Sequence, residues 1–285
     1  MPRGARRRRP HRLVTLSSDL GTAYAAQMKA VLLRALPPAD LVDLTHDLPA
    51  HGIAEAAFVV RAIASRFPAG TVHLVVVDPG VGGAREPVAV RCRDGSLLVG
   101  PNNGVLAPLA RALGGGSAYR IEEGRLNAAP RVGTTFDGRD VFAPAALRLA
   151  EGTDPSRLGS PVPLAPSSLG TAVRRRAGAT GTVVHVDRFG NLVTDVPTDW
   201  LPAGSRTVVV RLGRSQRRLP RVASYEEAGR GRLALLGSSF GTVEIAVAAG
   251  RADRRLAASA GDPVGLGWVP RRRRRAETVS KRPRR

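Results

Sequence analysis

Six loops hold the side chains whose types and spacing point to chemistry. The run Val72–Val77 is β-branched and apolar, and it ends abruptly at Asp78-Pro79-Gly80-Val81-Gly82-Gly83, with Arg85 seven residues after the acid. Such a run reads as a strand buried on both faces, and the loop after it puts an acid at a strand's carboxyl end. Residue type alone leaves Asp78 as either a turn cap or a ligand group. In open α/β sheets ligands sit in the crevice outside the strands' carboxyl ends, so topology places Asp78 and Arg85 there. Asp19 follows another apolar run, Asn103 lies in Gly100-Pro101-Asn102-Asn103-Gly104, and Asp137, Arg139 and Asp140 share the loop 133–140. Later in the chain come Asp187-Arg188-Phe189-Gly190-Asn191 and Gly237-Ser238-Ser239-Phe240-Gly241.

Several chemistries lack their residues. The one cysteine, Cys92, sits in an apolar segment and reads as a small core residue, and the five histidines are scattered, with His46 and His51 astride Pro49 in no zinc pattern. There is no phosphate-binding P-loop, and Gly80-Val81-Gly82-Gly83 is a poor dinucleotide fingerprint because no helix start follows it. No Gly-x-Ser-x-Gly nucleophile elbow occurs.

The elements that must position these loops alternate. Leu13–Leu16 reads as a strand and is followed by a helix with Tyr24, Met28, Val31, Leu32 and Ala35 on its apolar face, stopped by Pro37-Pro38. Leu41–Leu44 is a second strand, and a helix over about Ile53–Arg66 leads into the central run. Strand, helix, strand, helix, strand predicts a parallel sheet with crossover helices. Val88–Cys92 and Leu97–Val99 read as a hairpin, and Val105–Leu113 and Val141–Ala150 as helices. Beyond a stretch rich in Pro, Ser and Gly, Gly181–Val186, Leu192–Val196, Arg206–Leu212, Leu233–Leu236, Thr242–Ala248 and Pro263–Trp268 are short strands without a convincing helix. The fold class expected is α/β: a mostly parallel N-terminal sheet flanked by helices, followed by an all-β, barrel-like C-terminal domain. The boundaries are a disordered basic tail at 1–12, the α/β domain at 13–150, a linker at 151–174, the β-barrel domain at 175–270 and a second disordered tail at 271–285.

The net charge of +21 suggests nucleic acid until it is divided along the chain. Residues 1–12 carry six arginines and residues 271–285 a net +8, which leaves the body only +7. Like-charge runs repel and stay solvated, so the tails imply no more than weak, salt-dependent, nonspecific binding to nucleic acid. No aromatic residue interleaves with them, as a single-strand platform would need. No apolar run approaches the length of a membrane span, and no signal-type segment follows the basic N-terminus, so no membrane association and a cytoplasmic location are expected.

The ordered segments Thr15–Gly21, Met28–Leu32, Asp43–His46, Val77–Gly82, Gly100–Gly104, Phe136–Pro144, Phe189–Asn191 and Ser238–Glu244 together resemble the S-adenosyl-L-methionine (SAM) hydroxide adenosyltransferases, relatives of fluorinase and chlorinase. The resemblance covers residues 13 to 268 and implies cleavage of SAM to adenosine and methionine by water or hydroxide attacking the ribose C5′. A sulfonium is already a good leaving group, so binding, alignment and desolvation of the nucleophile suffice, and no cofactor is expected. By the family's pattern, Asp78 and Arg85 belong to an Asp-Arg-His set that holds and polarises the water. Asp19 matches an acid on the ribose hydroxyls. Asp187 and Asn191 match groups on the methionine ammonium, and the Ser238-Ser239 loop matches one at its carboxyl end. Asn103, Phe189 and Glu244 lie in matching segments and are carried over as substrate-binding residues. The family also implies a homotrimer with active sites at its subunit interfaces.

The chain departs from the pattern twice: Asp137 replaces the family histidine, and Asn102 replaces an aspartate. If Asp137 faces Asp78, two carboxylates share Arg85 and repulsion raises the pKa of one. The alternatives are a SAM-dependent halogenase, disfavoured by a carboxylate beside the halide, and a catalytically weakened SAM- or adenosine-binding protein.

Overall fold

Residues 12–131 and 133–268 are described by the structure, a computed structural model; apart from Arg12, the two basic tails lie outside them. Arg12 itself is tied down, its Nη1 donating to the carbonyls of Gly70 and Gly95 at 2.8 and 2.9 Å. The chain divides into two compact units between Leu169 and Gly170.

In the first unit β1 (Val14–Ser18), α1 (Gly21–Leu32), β2 (Leu41–Thr45), α2 (Ile53–Ala64) and β3 (Val72–Val76) alternate as expected. They continue into the hairpin β4 (Pro87–Cys92) and β5 (Leu97–Pro101), then α3 (Ala107–Ala112), β6 (Gly116–Arg120), α4 (Ala143–Ala150) and β7 (Pro161–Val162). The sheet order is β2-β1-β3-β5-β4-β6-β7, parallel through the first four strands and antiparallel beyond β5. Every residue of β3 is buried, so its two faces meet different layers. Val72, Leu74 and Val76 join Met28, Leu32, Phe142 and Leu149 in one core, while His73 alternates to the opposite face. There Thr15 Oγ1 lies 2.7 Å from Nδ1, Nε2 is buried without a partner among the described residues, and burial pushes the imidazole down to about 4. Cys92 is buried as expected, its thiol pushed up to about 12 by burial.

Two expectations are corrected. The apolar face of α1 buries Met28 and Leu32 as expected, with Val31 partly buried, but Ala25 joins them, Tyr24 is half exposed and Ala35 lies beyond the helix end at Leu32. Tyr24 instead packs edge-on against Phe136, ring centroids 5.1 Å apart. The stretch 151–174 is not a plain linker. Its Pro155–Arg157 turn is capped by the Asp154 carboxylate, β7 pairs with β6, and the first strand of the second unit begins at Val173.

The second unit is built from β8 (Val173–Arg175), β9 (Gly178–Val186), β10 (Leu192–Pro197), β11 (Thr207–Leu212), β12 (Ser215–Pro220), the short α5 (Tyr225–Ala228), β13 (Leu233–Gly237), β14 (Thr242–Val247), the short α6 (Ala252–Leu256) and β15 (Pro263–Gly267). All its named pairings are antiparallel, in the order β12-β11-β15-β9-β10-β14-β13, with β8 added on β9. A bridge from Arg221 to Leu235 brings the β12 end to β13 and nearly closes the sheet into a barrel. Inward-facing Val183, Leu192, Val208, Leu235, Ile245 and Leu266 fill it, with Trp268 buried at its edge and Trp200 packed against it.

Candidate active site

The end of β3 carries the first cluster. After buried Val77, Asp78 opens a tight loop in which the Val81 N–H donates to the Asp78 carbonyl at 3.2 Å, folding the chain back so that Arg85 faces the acid. Arg85 grips Asp78 with two donors: Nε reaches Oδ1 at 2.9 Å and Nη2 donates to Oδ2. The same Nη2 donates to Oδ2 of Asp137, and the guanidinium lies 5.2 Å over the Phe142 ring. Both carboxylates are buried, their side chains only 5% exposed. Burial alone would lower the Arg85 pKa, but its hydrogen bonds to both acids override that and raise it.

Asp137 reaches this position because of an irregular turn. It stands just before Gly138–Phe142, a π-helical turn that runs into α4, a local geometry that recurs at functional sites. Gly138 has no room for a side chain: a Cβ there would lie 2.6 Å from the Phe136 ring and 2.9 Å from Met28 Sδ. The shared arginine is as the sequence reading has it. What that reading missed is Arg131, whose Nη1 donates to Asp137 Oδ1 at 2.7 Å while Nε and Nη2 grip Glu123 at 2.7 and 2.6 Å. Two carboxylates therefore face two guanidinium groups, not one. The Arg131 hydrogen bonds hold the Glu123 carboxyl below its ordinary value.

Asn103 turns its amide inward. Nδ2 donates to the Val77 carbonyl at 2.9 Å and Oδ1 accepts from the Val105 N–H at 3.2 Å, so the side chain fastens the strand end that bears Asp78. Arg139 and Asp140 pair with each other at 2.7 and 2.9 Å. Asp19 sits at the end of β1, where its Oδ2 accepts from the His51 N–H at 3.2 Å. Its Oδ1 is buried and has no partner among the described residues, although a buried carboxylate oxygen is costly to leave unmatched.

The second unit carries its own cluster on the turn between β9 and β10. Asp187 Oδ1 accepts from the N–H groups of Phe189 and Asn191, both at 2.9 Å, and Oδ2 accepts from Asn191 Nδ2 at 2.9 Å. Gly190, at φ +81°, completes the turn, and Phe189 projects with 68% of its surface exposed. Tyr225, absent from the sequence reading, joins this turn to β14: its hydroxyl lies 3.4 Å from Asn191 Nδ2 and donates to Glu244 Oε1 at 2.6 Å. Desolvation raises the Glu244 carboxyl above its ordinary value, with Asp187 adding to the shift and Tyr225 opposing it. Ser238 is occupied locally, its Oγ accepting from the Phe240 N–H at 3.2 Å and lying 3.2 Å from Thr242 Oγ1, while Ser239 is exposed at the turn tip. This turn stands at the other end of β10 from Asp187, because Leu192 pairs with Ile245 and Pro197 with Thr242. The register of β10 on β14 shifts between Val193 and Pro197, and the Phe240 ring lies 6.2 Å from that of His185.

The groups assembled are carboxylates, guanidiniums, an amide, a phenol and hydroxyls. Each carboxylate oxygen can accept two hydrogen bonds, so Asp78 retains lone pairs for a water while Arg85 holds its plane. Among the described residues, no group of three or more His, Cys, Asp or Glu is placed to hold a metal ion. Nor is any helix among them long and apolar enough to cross a membrane.

Comparison with known proteins agrees along nearly the whole chain. Residues 14–159 match the model of the SAM hydroxide adenosyltransferase N-terminal domain, and residues 181–265 that of the C-terminal domain. A Salinispora tropica protein named (R)-S-adenosyl-L-methionine hydrolase is 38% identical over 87% of this chain and 95% of its own length. A fluorinase from an Actinoplanes species is 26% identical over 66% of this chain and 72% of its own. A crystal structure of an uncharacterized conserved protein from Thermotoga maritima superposes with a TM-score of 0.82 at 30% identity, covering 89% of this chain and 99% of that one.

Proposed function

The chain belongs to the SAM hydroxide adenosyltransferase family, and from that premise we propose that it hydrolyses SAM to adenosine and L-methionine. Water or hydroxide attacks the ribose C5′: the O–C5′ bond forms, the C5′–S bond breaks, and its electron pair stays on the methionine sulfur. The observation that carries the reading is the buried Asp78 carboxylate gripped by Arg85 at the end of the central strand. Its free lone pairs aim the water and accept its proton, while Arg85 fixes the carboxylate plane. Asp137 takes the place of the family histidine and, braced by Arg131, fixes the far side of Arg85.

Asp19 binds the ribose hydroxyls through its uncommitted Oδ1. Asp187, Asn191 and Glu244 form an acidic, amide-lined pocket for the methionine ammonium, while Ser238 and Ser239, at the other end of β10, stand outside that pocket. Phe189 is a contact surface for the substrate, and Asn103 acts on it through the strand end it holds. The reaction uses no cofactor, the working assembly is a homotrimer, and the enzyme acts in the cytoplasm. The Salinispora relative is named for the R form; because L already fixes the α-carbon, R describes the sulfonium, so both sulfonium epimers belong in the assay.

Chromatography after incubation with each epimer, with and without chloride, tests the reading. Adenosine and methionine in equal amounts, unaffected by chelator and lost in Asp78→Ala, are the expected result, with Asp137→His retaining or raising the rate. A halogenated nucleoside, or SAM recovered intact, overturns it. Light scattering is expected to give three times the 30.0 kDa chain mass.

A further inference from the structure

The loop that carries Asp19 is clasped by the loop after β2. The Gly21 N–H donates to the His46 carbonyl at 3.0 Å, the Leu48 N–H to the Ser18 carbonyl at 3.2 Å, and the His51 N–H to Asp19 itself. Beside this backbone clasp runs a side-chain relay with no part in the reaction just described. Lys29 Nζ donates to Asp43 Oδ2 at 2.7 Å, and Asp43 Oδ1 lies 3.2 Å from His46 Nε2, outside good hydrogen-bond alignment but close enough for strong attraction. His46 Nδ1 is 2.9 Å from Ser18 Oγ, and Ser18 Oγ accepts from the Leu20 N–H at 3.4 Å.

The Asp43 charge decides the direction of the relay. A neutral imidazole has one N–H, and a carboxylate facing Nε2 favours the tautomer that carries the proton there. Nδ1 is then an acceptor, so Ser18 donates its hydroxyl hydrogen to it and turns its lone pairs toward the Leu20 N–H. Ser18 is fully buried, leaving its hydroxyl no water to turn to instead. The order Ser-His-Asp is that of a nucleophilic triad, but a serine with no exposed surface cannot attack a substrate. Its neighbours in sequence give it another use, since Ser18 and Leu20 flank Asp19.

We propose that Asp43 and His46 are positioning residues for Asp19: Asp43 sets the imidazole tautomer, the imidazole orients Ser18, and the backbone on both sides of Asp19 is held so that its uncommitted Oδ1 meets the ribose hydroxyls. The inference rests on the ribose-binding role given to Asp19 above. Asp43 keeps the negative charge this role needs, because Lys29 and His46 outweigh the upward push of burial and hold its carboxyl below the ordinary value.

Calorimetric binding of adenosine and 2′,3′-dideoxyadenosine to the full chain tests it, because the ratio of their affinities reads the hydroxyl contacts and not stability. The unaltered enzyme is expected to prefer adenosine about tenfold or more, the scale of a hydrogen bond to a charged group. His46→Ala and Asp43→Ala are expected to shrink that preference to about threefold or less on the same scale. His46→Asn, whose amide oxygen can accept from Ser18, restores most of it and carries the comparison if His46→Ala does not fold. Long-range proton–nitrogen spectra give a second reading, with His46 protonated on Nε2 in the unaltered enzyme and on a mixture of nitrogens in Asp43→Ala. An unaltered enzyme that binds both nucleosides alike removes the Asp19 assignment. One that discriminates, with His46→Ala discriminating equally, overturns the positioning role alone, as does an Nδ1–H tautomer.

Discussion

Arg85 commits three donor contacts, one from Nε and two from Nη2, to Asp78 and Asp137, and Arg131 then takes the other oxygen of Asp137. The result is a rigid ladder, acid, guanidinium, acid, guanidinium, in which each rung limits the next one's freedom. Arg131→Gln breaks the ladder where it meets Asp137, and kcat is expected to fall about tenfold or more, the scale of one charge-assisted hydrogen bond. Glu123→Gln removes only the exposed end of the ladder and is expected to change kcat less than about threefold, since exposed ion pairs contribute little. Steady-state kinetics on the two variants decides between them, and equal, mild effects would show that Arg131 is ornamental to the site. Asp78 and Arg85 were legible in the sequence because a β-branched run ending in a Gly-rich turn marks a strand's carboxyl end. Arg131 and Tyr225 were not: each reaches its acid through folding, Tyr225 from 19 residues away, and neither stands in a local pattern.

The sheet explains why some elements announced themselves and others did not. β1, β3 and β5 are buried throughout, and the Val and Leu residues in each made them legible as strands despite Thr15, Ser17, Ser18 and His73 among them. β12, Ser-Gln-Arg-Arg-Leu-Pro, buries only Leu219 and is held by its ladder to β11, so composition carries almost no trace of it. The same holds for β6, where only Ala118 is buried. Asn103 shows how an element end is kept in place, since its amide ties the carbonyl of fully buried Val77 to the turn after β5. Asn103→Ala is expected to lower the unfolding free energy by about 1–3 kcal/mol, the cost of leaving buried backbone groups unmatched. Urea unfolding measures it, and a change within experimental error would mean that water or neighbouring groups replace the amide.

Across the whole chain, acid stability turns on a group remote from the chemistry. His73 has an ordinary value of 6.5 that burial brings to about 4, so between those pH values the folded chain binds fewer protons than the unfolded one. Stability therefore rises with pH through that window and falls on acidification, by about 3 kcal/mol in all if only this group acts. Asp43 and Glu123, held below their ordinary values, act in the same direction at more acid pH, while Glu244 and Asp195, raised above theirs by burial, act in the opposite one, so it is the difference between the parent chain and His73→Gln from about pH 6.5 to 5 that isolates His73. Unfolding midpoints across that interval are expected to drop more in the parent chain than in His73→Gln, and parallel curves would contradict the assignment.

The distribution of two rare residue types lets the halves of the molecule be watched separately. The sole sulfhydryl, Cys92, lies in the first unit, shielded and hard to ionise, so a colourless thiol reagent gains access only when that half opens. Both indoles, Trp200 and Trp268, belong to the second unit, so intrinsic fluorescence follows that half alone. One unlabelled sample thus carries two built-in reporters, and agreement or divergence of their denaturation curves tells whether the halves melt as one body or in turn.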